Sequence, residues 1–248
     1  MDLKEFFRQH PKAAIAFSGG VDSSYLLYAA LQCGADVRAY YVKGAFQPQF
    51  ELDDAQRLAR DIHAPMTVLR ADVLRDETVT ANPANRCYYC KKVVFSSIAQ
   101  AALADGYTLL LDGTNASDDA GDRPGMRALQ ELQVLSPLRL CGLTKPEIRR
   151  LSKEARLFTW DKPAYACLAT RIPTGEKITA EKLSATESAE GELFAMGFTD
   201  FRVRWYAGAA RLQFPAVQLP RVFERREEIL TKLKKYYPAV LLDLEVRG

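Results

Sequence analysis

Up to about residue 155, short apolar runs alternate with stretches whose apolar residues recur at helical spacing. Short apolar runs bounded by turn or polar residues are typical of buried strands. The predicted strands are Ala13–Phe17, Val37–Val42, Met66–Leu69 and Thr108–Leu111, and the predicted helices are 23–31, 51–62, 91–104 and 144–155. This alternation predicts an α/β fold with a parallel sheet and helices on both faces.

The pattern breaks after this region, where Pro163, Pro173 and Gly175 interrupt it. Beyond the break, the predicted elements are a helix at 179–196, strands at 201–206 and 210–214, a helix at 219–236 and a strand at 239–245. We therefore expect an α/β domain over 1–158, a linker over 159–178 that carries Cys167, and a smaller α+β domain over 179–248.

Composition is that of an ordinary folded chain. The 248 residues carry a net charge of +3, and 48% of them are hydrophobic. No apolar run approaches the roughly 18 to 20 residues that a membrane span needs, and the N-terminus lacks a basic segment followed by an apolar one. We therefore expect a cytoplasmic protein. We also expect no disulfide framework, because the chain has five cysteines, an odd number. Metal or redox chemistry is then the open question for these thiols.

The segment SGGVDSS directly follows the first predicted strand and opens the first helix. Paired glycines allow a sharp turn, and the helix N-terminus adds unpaired N–H donors, so phosphate is the expected ligand. The hydroxyls of Ser18, Ser23 and Ser24 can donate to the same oxygens, and Asp22 suits Mg²⁺. Neither a Walker loop nor a dinucleotide fingerprint is present. The alternative interpretation is a serine-rich helix cap after a tight turn.

This loop resembles the pyrophosphate (PP) loop of the ATP pyrophosphatases, which split ATP into AMP and pyrophosphate to adenylate an oxygen of their substrate. The resemblance implies an adenine nucleotide alpha-hydrolase-like fold for the first domain. It also implies that the pyrophosphate and its metal are held by Ser18, Gly19, Gly20, Asp22, Ser23 and Ser24.

Three thiols stand in distinctive surroundings. Cys87 and Cys90 lie at a predicted helix start, where the helix dipole lowers thiol pKa values. Cys167 could be a third ligand, and three thiolates could hold a [4Fe–4S] cluster with one iron open, although four are more usual. Arg171 supplies a cation nearby. The alternative is that Cys87 and Cys90 pack the helix; Cys33 and Cys141, in apolar surroundings, are predicted to be core residues.

The whole chain resembles the LarE family, ATP-dependent sulfur transferases of nickel-pincer cofactor synthesis for lactate racemase. Six ordered blocks carry the resemblance: SGGVDSS (18–24), NRCYYCKK (85–92), DGTNASDDAGDRPG (112–125), SPLRLCGLTKPEIR (136–149), ACLATRIPTGEKIT (166–179) and FRVR (201–204). The resemblance implies that the enzyme uses ATP and Mg²⁺ to adenylate a carboxylate of pyridinium-3,5-biscarboxylic acid mononucleotide. The enzyme then converts that carboxylate to a thiocarboxylate. The resemblance also suggests a homo-oligomer.

The LarE resemblance implies one of two sulfur sources. Some members give up the sulfur of a cysteine at the position of Cys167. Others have cysteines at the positions of Cys87, Cys90 and Cys167, bind a [4Fe–4S] cluster and deliver a sulfide attached to it. All three are present here, so we favour the cluster.

Arginines of the second domain suit an anionic substrate. Strand alternation places Arg202 and Arg204 on one face, where they could grip a phosphate and a carboxylate, and Arg211 could join them. Gln213 stands where we expect a carboxylate in many relatives, which puts an acid role there in doubt.

A loop after the fourth predicted strand is also a candidate for nucleotide binding, because ligands of open α/β sheets bind at the carboxyl ends of the strands. Thr114 and Asn115 are its candidates. The acidic continuation is as consistent with a solvated loop as with a functional one; it comprises Asp118, Asp119, Asp122 and Arg123.

Three other functions share some of these features. A tRNA thiolase has the same ATP loop, but a net charge of +3 gives little support for RNA binding. An amide-forming ligase of the same superfamily would not require the thiol of Cys167. A non-catalytic nucleotide-binding or zinc-stabilised module would release neither AMP nor pyrophosphate.

Overall fold

The computed structural model describes residues 1–118 and 124–247. Asp119, Asp122 and Arg123, which belong to the predicted acidic loop, lie outside the described residues. Over the described ranges, no helix combines the length and the apolar character needed to cross a bilayer.

The secondary structure begins and ends as follows. The strands are β1 (Lys12–Ala16), β2 (Asp36–Lys43), β3 (Met66–Arg70), β4 (Leu110–Leu111), β5 (Arg202–Tyr206), β6 (Ala209–Gln213) and β7 (Val240–Leu242). The α-helices are α1 (Leu3–Gln9), α2 (Val21–Gln32), α3 (Gln49–Asp61), α4 (Glu77–Thr80), α5 (Arg86–Ala104), α6 (Pro124–Glu131), α7 (Pro137–Leu140), α8 (Lys145–Glu154), α9 (Ala180–Ala195), α10 (Leu219–Glu224) and α11 (Arg226–Leu233).

The chain divides into two compact units, Met1–Val73 with Asn85–Tyr165, and Leu74–Ala84 with Ala166–Gly248. This division differs from the predicted boundaries. The predicted first domain includes residues 74–84, but Asn82 ties them to the second unit. Its side-chain amide donates to the Pro173 carbonyl at 2.8 Å, and its backbone carbonyl accepts from the Gly175 N–H at 2.8 Å. The predicted linker is likewise shared between the units.

A four-stranded parallel sheet of order β3-β2-β1-β4 organises the first unit. Because side chains alternate along a strand, β1 contributes to two cores. Ala13 and Ile15 pack in the core that contains Leu26 of α2, whereas Ala14 packs in the core that contains Phe95 of α5. The predicted α/β fold with helices on both faces is confirmed, although β4 is shorter than expected and α5 begins earlier.

The second unit contains a three-stranded mixed sheet, in which β6 lies between antiparallel β5 and parallel β7. Its core includes Leu193 of α9, Val203 of β5 and Leu233 of α11. The single helix predicted over 219–236 is two helices, because Arg225 leaves the helical region at φ −105° and ψ 18°. Its guanidinium donates to the Met196 carbonyl at 2.7 Å.

Candidate functional site

The loop between β1 and α2 has a backbone that only glycine suits at its tip. Gly19 has φ +73°, and a Cβ atom there would lie 3.0 Å from the Cβ of Ala55 in α3. Ser18 and Ser23 bring their hydroxyl oxygens to 3.0 Å from each other across the turn, and Gly20 is the N-cap of α2 without a side-chain cap. The loop therefore presents hydroxyls and helix N–H groups together, as an anion site requires.

Ser24 and Asp22, in the first turn of α2, each have a buried side-chain oxygen that is available to a ligand. The Ser24 hydroxyl and Asp22 Oδ1 are buried without a hydrogen-bond partner in the part of the chain that the structure describes. Asp22 Oδ2 accepts from Lys145 Nζ at 2.5 Å. A buried carboxylate oxygen with a free lone pair matches the oxygen ligands that Mg²⁺ prefers.

Lys145 is a site residue that the sequence reasoning missed. It is the first residue of α8, whose N-cap Thr144 forms a capping box with Glu147. Thr144 followed three residues later by Glu147 is the sequence signature of such a cap, so the lysine directly behind the cap was the available signal. The cap sets where α8 starts, so it also sets where the Lys145 side chain begins.

The loop after β4 lies against the same turn of α2. A Cβ on Gly113 would come within 2.8 Å of the Ser23 nitrogen, so this approach requires glycine. Asp112 accepts from the Thr114 hydroxyl at 2.5 Å and from the Ser136 hydroxyl at 2.6 Å, and Asn115 Oδ1 accepts from the Ser117 N–H at 2.8 Å. Thr114 and Asn115 thus lie in a loop that is near the SGGVDSS loop. Their side-chain oxygens, however, form hydrogen bonds that stabilise the loop after β4 itself.

A cavity of about 200 Å³ opens beside the nucleotide loop. Its polar walls carry two cations and two carboxylates. Burial raises the pKa of Glu51, an effect that Lys162 opposes. The cavity is lined by Ser18, Gly20, Val21, Asp22, Glu51, Lys145 and Lys162, together with the segment 163–165.

Cys87 and Cys90 lie in the first turns of α5, as predicted. Cys87 is exposed and Cys90 is half-buried, so packing does not account for Cys87. Over residues 1–118 and 124–247, no group of three Cys, His, Asp or Glu side chains is arranged to hold a metal ion. The prediction that Cys33 is a core residue is wrong, because it lies exposed at the end of α2; Cys141 is half-buried.

In the second unit, Cys167 is the N-cap of a short 3-10 helix, Leu168–Arg171, and is half-buried. Arg171 is 1% exposed and donates to the Ala166 carbonyl at 2.9 Å and to the Thr170 hydroxyl at 2.8 Å. It also donates to Glu190 at 2.8 Å. The guanidinium that the sequence predicts as a cation near the thiols braces the backbone around Cys167. Glu190, within α9, had no signal in the sequence.

Arg202, Arg204 and Arg211 lie on one face of the second sheet, because Arg204 pairs with Arg211 and Arg202 with Gln213 across the antiparallel ladder. Burial lowers the pKa of Arg202 to about 10, and the neighbouring charges of Arg171 and Arg247 act in the same direction. Asp243 lies 3.4 Å from Arg211 Nε and Asp200 lies 3.9 Å from Arg202 Nη1, so the unit's own carboxylates partly neutralise this face. Three guanidinium groups on one face could still hold a phosphate or a carboxylate.

Gln213 links two members of this face. Its side-chain oxygen accepts from Arg204 Nε, and its Nε2 donates to Asp243 at 2.8 Å. A carboxylate at this position would cancel one positive charge and could not donate to Asp243. The glutamine thus leaves the face more positive than a glutamate would.

The parallel sheet and the SGGVDSS loop, with a carboxylate and a lysine beside it, define a PP-loop nucleotide-binding domain, and a smaller mixed-sheet unit accompanies it. No protein-family model matches the chain. It is 31% identical over 210 residues, 84% of its length and 76% of the relative's, to pyridinium-3,5-bisthiocarboxylic acid mononucleotide synthase of Lactiplantibacillus plantarum. The chain belongs to the family of that synthase, the LarE family.

Two further relatives extend the comparison. An uncharacterised protein of Synechocystis sp. is 37% identical over 88% of the chain and 82% of its own length. The tRNA-specific 2-thiouridylase MnmA of Thermotoga sp. is 25% identical over 58% of the chain and 52% of its own length. These likenesses place the chain in the PP-loop superfamily and support an ATP-dependent sulfur transferase.

Proposed function

We propose that this enzyme uses Mg-ATP to adenylate one carboxylate of pyridinium-3,5-biscarboxylic acid mononucleotide and then converts that carboxylate to a thiocarboxylate. The observation that supports this most strongly is the 31% identity over 84% of the chain with a synthase named for the bisthiocarboxylic product. A match of this length includes residues of both units.

The nucleotide's phosphates would bind at Ser18, Gly19, Gly20, Ser23 and Ser24. The two buried oxygens without protein partners, Asp22 Oδ1 and Ser24 Oγ, support this assignment. Asp22 would hold Mg²⁺, which when bound neutralises phosphate charge. Lys145, 2.5 Å from Asp22 Oδ2, would bring a second cation to the same phosphates.

In the first step a carboxylate oxygen of the substrate attacks the α-phosphorus, and the bond to the bridging oxygen breaks as pyrophosphate leaves. The product is an acyl adenylate. In the second step sulfur attacks the activated carbonyl carbon, and AMP leaves with the electron pair of the broken C–O bond. Arg202, Arg204 and Arg211 would hold the substrate's phosphate and its other carboxylate, because planar guanidinium groups match both anions.

For the sulfur, we propose that Cys87, Cys90 and Cys167 hold a [4Fe–4S] cluster, which when bound supplies the sulfide. Three thiols, of which Cys87 is exposed and the other two are half-buried, are a suitable donor set. Arg171 would act as a positioning residue, because its guanidinium is buried against Glu190 and the Ala166 carbonyl. Sacrifice of the Cys167 sulfur is the competing route.

The first experiment combines metal analysis with turnover. Protein purified without air is assayed for iron and acid-labile sulfide, then incubated with Mg-ATP and the dicarboxylate nucleotide while pyrophosphate, AMP and intact chain mass are measured. Roughly four irons per chain and an unchanged mass support the cluster. Loss of one H₂S from the Cys167 peptide, without iron, supports the sacrificial route.

Two outcomes would contradict the proposal as a whole. If the rate of pyrophosphate release does not depend on the dicarboxylate nucleotide, the proposed substrate is wrong. If tRNA stimulates the release, the enzyme is instead a tRNA thiolase. We also predict that the chain forms a homo-oligomer, which light scattering tests. We further predict a separate sulfur donor, which is tested by measuring whether added sulfide can replace it.

A further inference from the structure

Lys162 is a largely buried cation that the proposed mechanism does not use. Its ammonium lies 3.1 Å from Glu51 Oε2 and 2.7 Å from Asp54 Oδ2, both on α3. Its side chain is 13% exposed, and that of Glu51 is 12% exposed. The Phe50 ring lies 5.7 Å from the same ammonium.

The backbone that carries Lys162 is held in place independently of these acids. Arg149 of α8 donates to the Trp160 carbonyl at 2.6 Å and to the Lys162 carbonyl at 2.9 Å. Tyr165 packs edge-on against Phe50, with ring centroids 4.8 Å apart. Because these contacts fix the segment, the Lys162 ammonium can change partners without moving the backbone.

Lys162 also faces the nucleotide loop. It lines the same cavity of about 200 Å³ as Ser18 and Asp22, and Glu51 lines it too. Lys145 with Asp22 and Lys162 with Glu51 make two ion pairs in this cavity. A polyphosphate entering it would be repelled by Glu51 and attracted by Lys162, and a lysine on a flexible stem can follow the stronger negative charge.

We propose that Lys162 is a phosphate-binding residue of the nucleotide site. Glu51 and Asp54 hold its ammonium, and they yield it to an incoming polyphosphate. This inference rests on the proposed function, which requires that ATP binds at the SGGVDSS loop. The competing account is structural: Lys162 only neutralises Glu51 and tethers the segment 162–165 to α3.

The two accounts are separated by a double-mutant cycle of Lys162→Met, Glu51→Gln and the double variant. Binding of Mg-pyrophosphate and of AMP is measured calorimetrically, and thermal melting reports folding. Lys162→Met is expected to weaken pyrophosphate binding roughly ten- to a hundredfold, the value of a charge-assisted contact, with AMP binding changed much less. Glu51→Gln is expected to strengthen pyrophosphate binding, because it removes a repelling carboxylate and one of the two carboxylates that hold the ammonium, leaving Asp54 at 2.7 Å.

The double variant decides between the accounts even if Lys162→Met alone is unstable. It leaves no unpaired carboxylate at the buried Glu51, and Asp54, whose side chain is 33% exposed, can be solvated. If Lys162 contacts phosphate, the double variant binds pyrophosphate more weakly than Glu51→Gln. Equal binding by these two variants would overturn the inference. The matched control is Lys12→Met: Lys12 is paired with Asp36 at 3.7 Å, lies at the opposite end of β1 from the loop, and should leave binding unchanged.

Wild-type behaviour separates failure of this inference from failure of the proposed function. A wild-type enzyme that binds neither Mg-pyrophosphate nor ATP contradicts the nucleotide site itself. A wild-type enzyme that binds both and releases pyrophosphate, with variants at Lys162 that bind equally well, contradicts only the role of Lys162.

Discussion

Arg171 and Glu190 form a buried, two-point ion pair, with guanidinium nitrogens donating to both carboxylate oxygens at 2.8 and 3.2 Å. Their side chains are 1% and 2% exposed. Glu190 Oε1 also accepts from the Val203 N–H at 3.0 Å, and Arg171 holds the Ala166 carbonyl. One pair thus joins the segment of Cys167 to α9 and β5.

Glu190→Ala is expected to lower the free energy of unfolding by about 3–5 kcal/mol, because it leaves the Arg171 charge buried and uncompensated. Urea denaturation followed by circular dichroism measures the change. The control is Glu154→Ala, since the Arg150–Glu154 pair is 61% and 59% exposed and should lose less than about 1 kcal/mol. Similar losses in the two variants would contradict the structural importance of the buried pair.

Gly19→Ala tests the requirement for glycine in the nucleotide loop. Both Gly19 (φ +73°) and Gly34 (φ +74°) have left-handed backbones, but only Gly19 has a neighbour within 4 Å of a new Cβ. Gly34→Ala should cost about 1–2 kcal/mol from backbone strain alone. Gly19→Ala should cost more and weaken pyrophosphate binding.

Adding Ala55→Gly to Gly19→Ala removes the nearest of the three Ala55 atoms that the new Cβ meets, while the backbone Cα at 3.2 Å and N at 3.3 Å stay. Because a glycine inside α3 itself costs about 1 kcal/mol, the double variant is compared with Ala55→Gly alone. Recovery of part of the stability and binding is expected. If Gly19→Ala and Gly34→Ala lose equal stability, the close contact with α3 is unimportant.

Asp22→Ala should abolish pyrophosphate release while leaving the melting temperature close to that of the wild type. The substitution removes the proposed Mg²⁺ ligand, and its partner Lys145 is 32% exposed and can be solvated. A pyrophosphate release assay across a Mg²⁺ titration measures the effect. Asp61→Asn, at an exposed pair with Arg57, serves as the control, and unchanged release by Asp22→Ala would remove Asp22 from the site.

Cys167→Ser should preserve substrate-dependent pyrophosphate release and eliminate thiocarboxylate formation, because it removes the sulfur and little volume. Both products are quantified in one reaction by mass spectrometry. Cys33→Ser, which changes an exposed thiol, should leave both products at wild-type levels. Thiocarboxylate made by Cys167→Ser would exclude Cys167 from sulfur transfer.

The sequence by itself determined the parallel sheet, the loop after β1 and the family. Strand patterning and the glycine-serine turn depend on residues close together in the chain, so local rules suffice to predict them. It could not reveal that Asn82 draws residues 74–84 into the second unit, or that Lys145 meets Asp22. Those contacts join residues far apart in sequence, and only the packing of complete elements brings such residues together.

The same reason explains what the sequence could not reveal about Arg171 and Lys162. Sequence reasoning assigns a charge to each side chain but not its partner, so Arg171 resembled a free cation beside a thiol. The tertiary structure decided that Glu190 holds Arg171 in a buried pair and that Glu51 and Asp54 hold Lys162 beside the nucleotide loop. A cation's role depends on which carboxylates the fold places within a few ångströms of it.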